Sequence, residues 1–138
     1  MSKSNLILFA FLVATTATLG SLFFSNIMNF IPCSMCWYQR VFMYPLVFIF
    51  LVNLLYPDDE ILKYSMPLVL IGLLIAVYHN LLMSGIIPES AVPCKVGVPC
   101  STKYINWYGF ITIPFLSLVS YALILVSLLF YKRGKKVK

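Results

Sequence analysis

Residues 33–40 read CSMCWYQR, two cysteines separated by two residues and followed, four positions after the second, by an arginine. This spacing suits thiol–disulfide exchange. A C-x-x-C pair at the start of a helix lies against unsatisfied amides and the positive end of the helix dipole, which stabilise the thiolate that carries out exchange. Cys36 and Arg40 share one helix face a turn apart. A cation there lowers the cost of a thiolate, or of an anionic reaction partner, at Cys36. Arg40 also puts positive charge at the positive end of a helix, which argues for a use. The alternative is an interfacial arginine that snorkels to lipid headgroups; an ionisable group at membrane depth favours the functional reading.

A second pair, Cys94 and Cys100, closes the small ring CKVGVPC, with Pro93 before it and Pro99 inside it. Alone, such a ring reads as a staple for its loop. Beside a C-x-x-C pair it reads as the other half of a relay of two exchangeable disulfides, Cys33–Cys36 and Cys94–Cys100. His79 is the one histidine. Counting by three and four places it on a stripe with Gly72, Ala76 and Met83, facing neighbouring helices. Two readings stand for it: a packed, hydrogen-bonded core histidine, or a contact to a bound cofactor. Four cysteines also raise zinc. The second pair is too widely spaced for a knuckle, and the two pairs lie far apart in the chain, so disulfides are expected and no metal. The chain has no phosphate-cradling glycine loop, serine–histidine motif or paired intramembrane carboxylates, which argues against nucleotide, hydrolase and transport chemistry.

The elements that must position these groups are apolar. Of 138 residues, 62% are hydrophobic and 10% charged, against about 25% charged in a soluble domain. Four stretches are long enough to cross a bilayer: residues 6–24, 37–56, 65–87 and 108–131. The expected fold is all-α, an integral membrane four-helix bundle forming one domain over 1–138. The first stretch is too long for a signal-peptide core and lacks a clean cleavage site. Its small residues Ala10, Ala14, Ala17, Ser21 and Ser25 recur on one face, which allows close helix approach in lipid. Ser117, Ser120 and Ser127 in the fourth stretch read as helix cement, and Trp37, Tyr38, Trp107 and Tyr108 as an interfacial belt.

Positive charge orients the bundle. Lys3, Lys63 and the tail residues Lys132, Arg133, Lys135, Lys136 and Lys138 fall on one side, and Arg40, Lys95 and Lys103 on the other. The heavier side is expected to be cytoplasmic, with both termini, so all four cysteines and the outer loop between helices three and four face outward. The net charge of +6 thus reports topology rather than nucleic-acid binding.

The C-x-x-C followed by arginine, the second cysteine pair between helices three and four, and four spans with both ends inside resemble the DsbB family of membrane disulfide-bond formation proteins. In its shortness the chain is similar to the BdbC-type oxidoreductases. The resemblance implies a bacterial cell-membrane enzyme that reoxidises an extracytoplasmic thioredoxin-like (DsbA-like) partner. It implies that Cys94 forms the mixed disulfide, that Cys100 passes electrons to Cys33–Cys36, and that Cys36 reduces a membrane quinone, menaquinone or ubiquinone, held near Arg40 with His79 close by. The short Cys94–Cys100 spacing departs from longer members. Two other functions compete: a structural membrane protein braced by two disulfides, and a reductase running electrons outward in the manner of vitamin K epoxide reductase relatives.

Overall fold

The computed structural model describes residues 2–91 and 112–136. Cys94, Cys100, Lys95, Lys103, Trp107 and Tyr108 lie outside the described residues. Four long helices account for most of the rest: α1 Lys3–Asn26, α2 Ser34–Leu55, α3 Ile61–Met83 and α4 Ile113–Lys136. Each is long and apolar enough to span a membrane, and among the described residues there is no strand. A short 3-10 turn covers Glu89–Ala91.

Local chemistry sets the helix ends. Ser2 caps α1 by accepting the Asn5 amide at 3.3 Å. Asn29 takes a left-handed conformation (φ 55°), which a short polar side chain tolerates, and reverses the chain toward Pro32 and α2. α2 stops at Leu55, just ahead of Pro57, since the residue before a proline is driven out of helical geometry. α3 begins at Ile61, four residues before the start expected from hydropathy, because the Asp58 carboxylate accepts the Glu60 amide at 2.9 Å and opens the helix early. It ends at Met83 rather than 87. Gly85 adopts φ 76°, and the Gly85 and Ile86 amides turn back to the Leu82 and Leu81 carbonyls at 3.1 and 3.2 Å. That is a Schellman closure, and it overrides the apolar residues beyond it.

α1 packs against α2 and α4, and α3 packs against the same two helices, so the four close into a ring. Polar contacts show that neighbours run antiparallel. The start of α1 meets the α2–α3 connection and the end of α4 through Lys3, Asp59 and Tyr131. At the opposite end, α1 meets α2 through Ser21, Ser25 and Arg40, and α3 meets α4 through Asn80 and the Pro114 carbonyl. Lipid tails are as apolar as leucine, so close packing and interhelical polar contacts hold such a bundle together. Ala10, Ala14, Val69 and Ala76 are fully buried, and the small stripes on α1 and α3 face the interior. Leu19, Phe48, Leu55 and Leu74 point outward, more than 60% exposed, as lipid-facing residues do. Ser120 and Ser127 do not bridge helices: each hydroxyl bonds the carbonyl four residues back on α4, Leu116 and Leu123, at 2.9 and 3.0 Å.

Tyr121 is the largest fully buried side chain, and it locks the bundle centre. Its hydroxyl donates to the Gln39 carbonyl of α2 at 2.7 Å. Its ring lies where a Cβ on Gly72 would be. A glycine on α3 is therefore what allows an α4 tyrosine to reach α2.

Candidate active site

The thiol pair sits where the chain enters α2. Pro32 leads into Cys33, whose extended backbone makes it the N-cap of that helix (φ −73°, ψ 170°). Its side chain does not cap the helix but turns inward, to 8% exposure. Cys36, one turn on, is half-buried. Both are free thiols, with sulfur atoms 3.4 Å apart.

α3 brings His79 to the same point. The ring is 1% exposed. Its Nε2 lies 3.8 Å from the Cys33 sulfur, and its Nδ1 lies 3.2 Å from the side-chain amide of Gln39. The histidine is packed and hydrogen-bonded, the first of its two sequence readings, and it lies beside the reactive pair. The Cys36 thiol, then His79, hydrogen-bond the Cys33 sulfur and hold its pKa well below the ordinary thiol value, against the opposing effect of burial.

Arg40 does not snorkel. It is 9% exposed and reaches across to α1, where Nε donates to the Ser21 hydroxyl at 2.6 Å and Nη2 to the Ser21 carbonyl at 3.0 Å and to the Ser25 hydroxyl. The Trp37 ring lies beneath its Cζ at 5.3 Å, a cation–π contact. The small residues at the end of the α1 stripe thus do more than allow close packing, since two of them bind the arginine.

These groups cluster at one end of a cavity of about 600 Å³. Cys33, Cys36, Gln39, Arg40 and His79 line that end. Its remaining walls are mostly apolar and come largely from α1 and α4, including Leu12, Val13, Leu116 and Leu123. Leu12, Leu116 and Leu123 line the cavity and remain exposed, so among the described residues it is not sealed along its α1 and α4 walls.

Four sequence-derived candidates, Cys33, Cys36, Arg40 and His79, therefore converge. Cys94 and Cys100 lie outside the described residues. Gln39 escaped the sequence reading, and Ser21 and Ser25 entered it only as small packing residues of the first stretch, not as partners of Arg40. Gln39 had a signal: it lies three residues after Cys36, hence on the same face, and is a buried-type amide in an apolar helix that needs a partner.

The family model described as "Disulfide bond formation protein DsbB" matches residues 3–131. The chain is 46% identical over 126 residues to "Disulfide bond formation protein C" of Bacillus subtilis (strain 168), covering 91% of each chain. It is 43% identical over 137 residues to "Probable disulfide formation protein C" of Halalkalibacterium halodurans, covering 98% of this chain and 100% of the relative. A Bacillus anthracis "Probable disulfide formation protein C 1" is 48% identical over 110 residues, 80% of this chain and 79% of that one. No solved structure matches. A thiol pair, a buried arginine and a histidine at one end of a four-helix bundle, together with a family match over nearly its whole length, make this chain a member of the DsbB family of disulfide bond formation proteins.

Proposed function

We propose that the protein is a membrane thiol–disulfide oxidoreductase. It reoxidises an extracytoplasmic, thioredoxin-like dithiol protein, delivers the electrons to a membrane quinone and so sustains disulfide formation in secreted proteins. The observation that carries this reading is the convergence of Cys33, Cys36, His79 and Arg40 on one end of an apolar cavity.

The cavity fits a quinone. Its volume of about 600 Å³ lies in the usual range for ligand sites, and its few polar groups gather at one end of apolar walls. Ser21 and Ser25 take three of the five guanidinium N–H groups of Arg40, leaving those of Nη1 for an acceptor oxygen. Arg40, Gln39 and His79 would hold the ring, and the α1 and α4 walls the tail. When bound, a quinone supplies a lipid-borne acceptor for two electrons and two protons.

The residues of the chain perform the exchange. A partner thiolate attacks the Cys94–Cys100 disulfide and forms a mixed disulfide at Cys94, releasing Cys100. The partner's second thiol resolves that bond, and the partner leaves oxidised. The Cys94 and Cys100 thiols then reduce a Cys33–Cys36 disulfide, so that two electrons and two protons now reside on the inner pair. His79 receives a proton at Nε2 from Cys33, and Arg40 favours negative charge at Cys36. Each exchange is nearly balanced, since about 30 mV equals roughly 1.4 kcal/mol for two electrons, so a strong terminal oxidant is required.

Purified protein given reduced thioredoxin-like partner and a soluble quinone analogue is expected to form one quinol per partner disulfide. Cys36→Ala is expected to abolish this. No quinol from the intact chain overturns the reading. Full turnover by Cys36→Ala, with only a loss of thermal stability, would favour a protein merely braced by its cysteines.

A further inference from the structure

Three groups able to bind a metal ion meet at the start of α2. The sulfur atoms of Cys33 and Cys36 and a ring nitrogen of His79 all lie within 4.8 Å of one another, and all are buried or half-buried. We propose that the reduced protein binds a thiophilic d10 cation, Zn²⁺, through Cys33, Cys36 and His79, and that this ion holds the pair in its reduced, dithiolate form and closes it to exchange.

The spacing is that of a metal site. Zinc–sulfur bonds of about 2.3 Å and zinc–nitrogen bonds of about 2.0 Å at tetrahedral angles place the ligand atoms roughly 3.5–3.8 Å apart. The observed separations are 3.4 Å between the sulfurs and 3.8 Å from the Cys33 sulfur to Nε2. These two separations need adjustments of a few tenths of an ångström, and the third, from the Cys36 sulfur to the histidine ring, lies within 4.8 Å, a gap that a side-chain rotation of about an ångström closes. This is not the four-cysteine knuckle that the sequence argues against: two of the four cysteines take part, with a histidine from another helix.

Charge and outer contacts agree. Two thiolates neutralise a divalent ion, so a buried site acquires no net charge; binding releases the two thiol protons. A ligating histidine is normally held through its other nitrogen by an acceptor. Gln39 stands at Nδ1, 3.2 Å away. With its amide turned so that the oxygen faces the ring, Gln39 accepts from Nδ1–H and the lone pair of Nε2 points toward the sulfurs, where a metal would sit; turned the other way, it donates to Nδ1 and Nε2 carries the proton toward Cys33. Three protein ligands leave the fourth position open toward the cavity, the arrangement of reactive rather than structural zinc sites. A disulfide and the metal cannot share the two sulfurs. The ion is therefore an antagonist of oxidation.

The test uses full-length protein in detergent, with Cys94→Ser and Cys100→Ser to remove the other thiols, and needs no quinone. Its failure is thus separate from that of the electron-transfer reading. Reduced protein is titrated with Co²⁺ as a spectroscopic probe and with Zn²⁺. The expected result is one equivalent of Co²⁺ with intense tetrahedral visible bands and a sulfur-to-metal charge-transfer band, displaced by Zn²⁺ and absent from protein oxidised beforehand. His79→Gln is expected to weaken binding at least tenfold, and Gln39→Leu about tenfold. Zinc-edge X-ray absorption on the protein with His79 and Gln39 intact reads the ligand set even if those variants fold poorly; two sulfurs and at least one nitrogen are expected. No sulfur-to-metal band in the reduced protein, a band unchanged in folded His79→Gln, or an absorption spectrum with fewer than two sulfurs would overturn the proposal.

Discussion

Arg40 is defined by the company it keeps. In the sequence it is a positive charge one turn beyond a thiol; in the fold, Ser21, Ser25 and Trp37 fix its guanidinium. Hydrogen bonds to charged groups contribute about 1.5–3 kcal/mol each. Arg40→Ala is therefore expected to raise the KM for a quinone analogue roughly tenfold or more, equivalent to about 1.4 kcal/mol, and Arg40→Lys to recover only part of it, because an ammonium cannot reproduce the planar fork. Steady-state kinetics with the analogue varied check this; an unchanged KM removes Arg40 from the cavity's function. Cys33, Cys36, Arg40 and His79 were legible because reactive or charged residues stand out in an apolar chain. The serines and Gln39 were not. Their importance lies in pairings between helices, which spacing along one helix does not record.

Hydropathy alone located the four helices, since bilayer thickness imposes their length. It could not locate their ends, which depend on the turn that Asp58 makes with the Glu60 amide and on the left-handed Gly85. Nor did it identify the contact at the centre. A glycine inside a helix ordinarily costs about 1 kcal/mol relative to alanine, so Gly72→Ala would be expected to stabilise an unpacked helix. Here a Cβ would overlap the Tyr121 ring, and the sign reverses: a loss of about 1–3 kcal/mol is expected, seen as a lower Tm in detergent. Adding Tyr121→Leu to Gly72→Ala should restore part of that loss, as coupled neighbours do. Tyr121→Phe, which removes the hydrogen bond to the Gln39 carbonyl, is expected to cost about 1 kcal/mol.

Across the bundle the polar chemistry divides between two ends. Lys3, Asp59 and Tyr131 gather at one, and the thiols, His79 and Arg40 at the other. Exposed ion pairs such as Lys3–Asp59 contribute little to stability, about 0–1 kcal/mol. If the basic end is cytoplasmic, a membrane-impermeant thiol reagent applied to intact, reductant-treated cells should label the chain. Labelling confined to lysed cells would place the thiols on the inner side. The basic count was readable directly from the sequence, whereas the separation of the two ends required the antiparallel pairing of the helices.

The cavity's exposed apolar lining from α1 and α4, which would face lipid tails, also affects how turnover should be measured. A tailed acceptor arriving from that side never leaves the hydrocarbon phase, so its supply follows its mole fraction among the lipids and not its molarity in the tube. Diluting proteoliposomes with buffer should leave the acceptor half-reaction unchanged, whereas fusing them with acceptor-free vesicles should slow it in proportion to the added lipid.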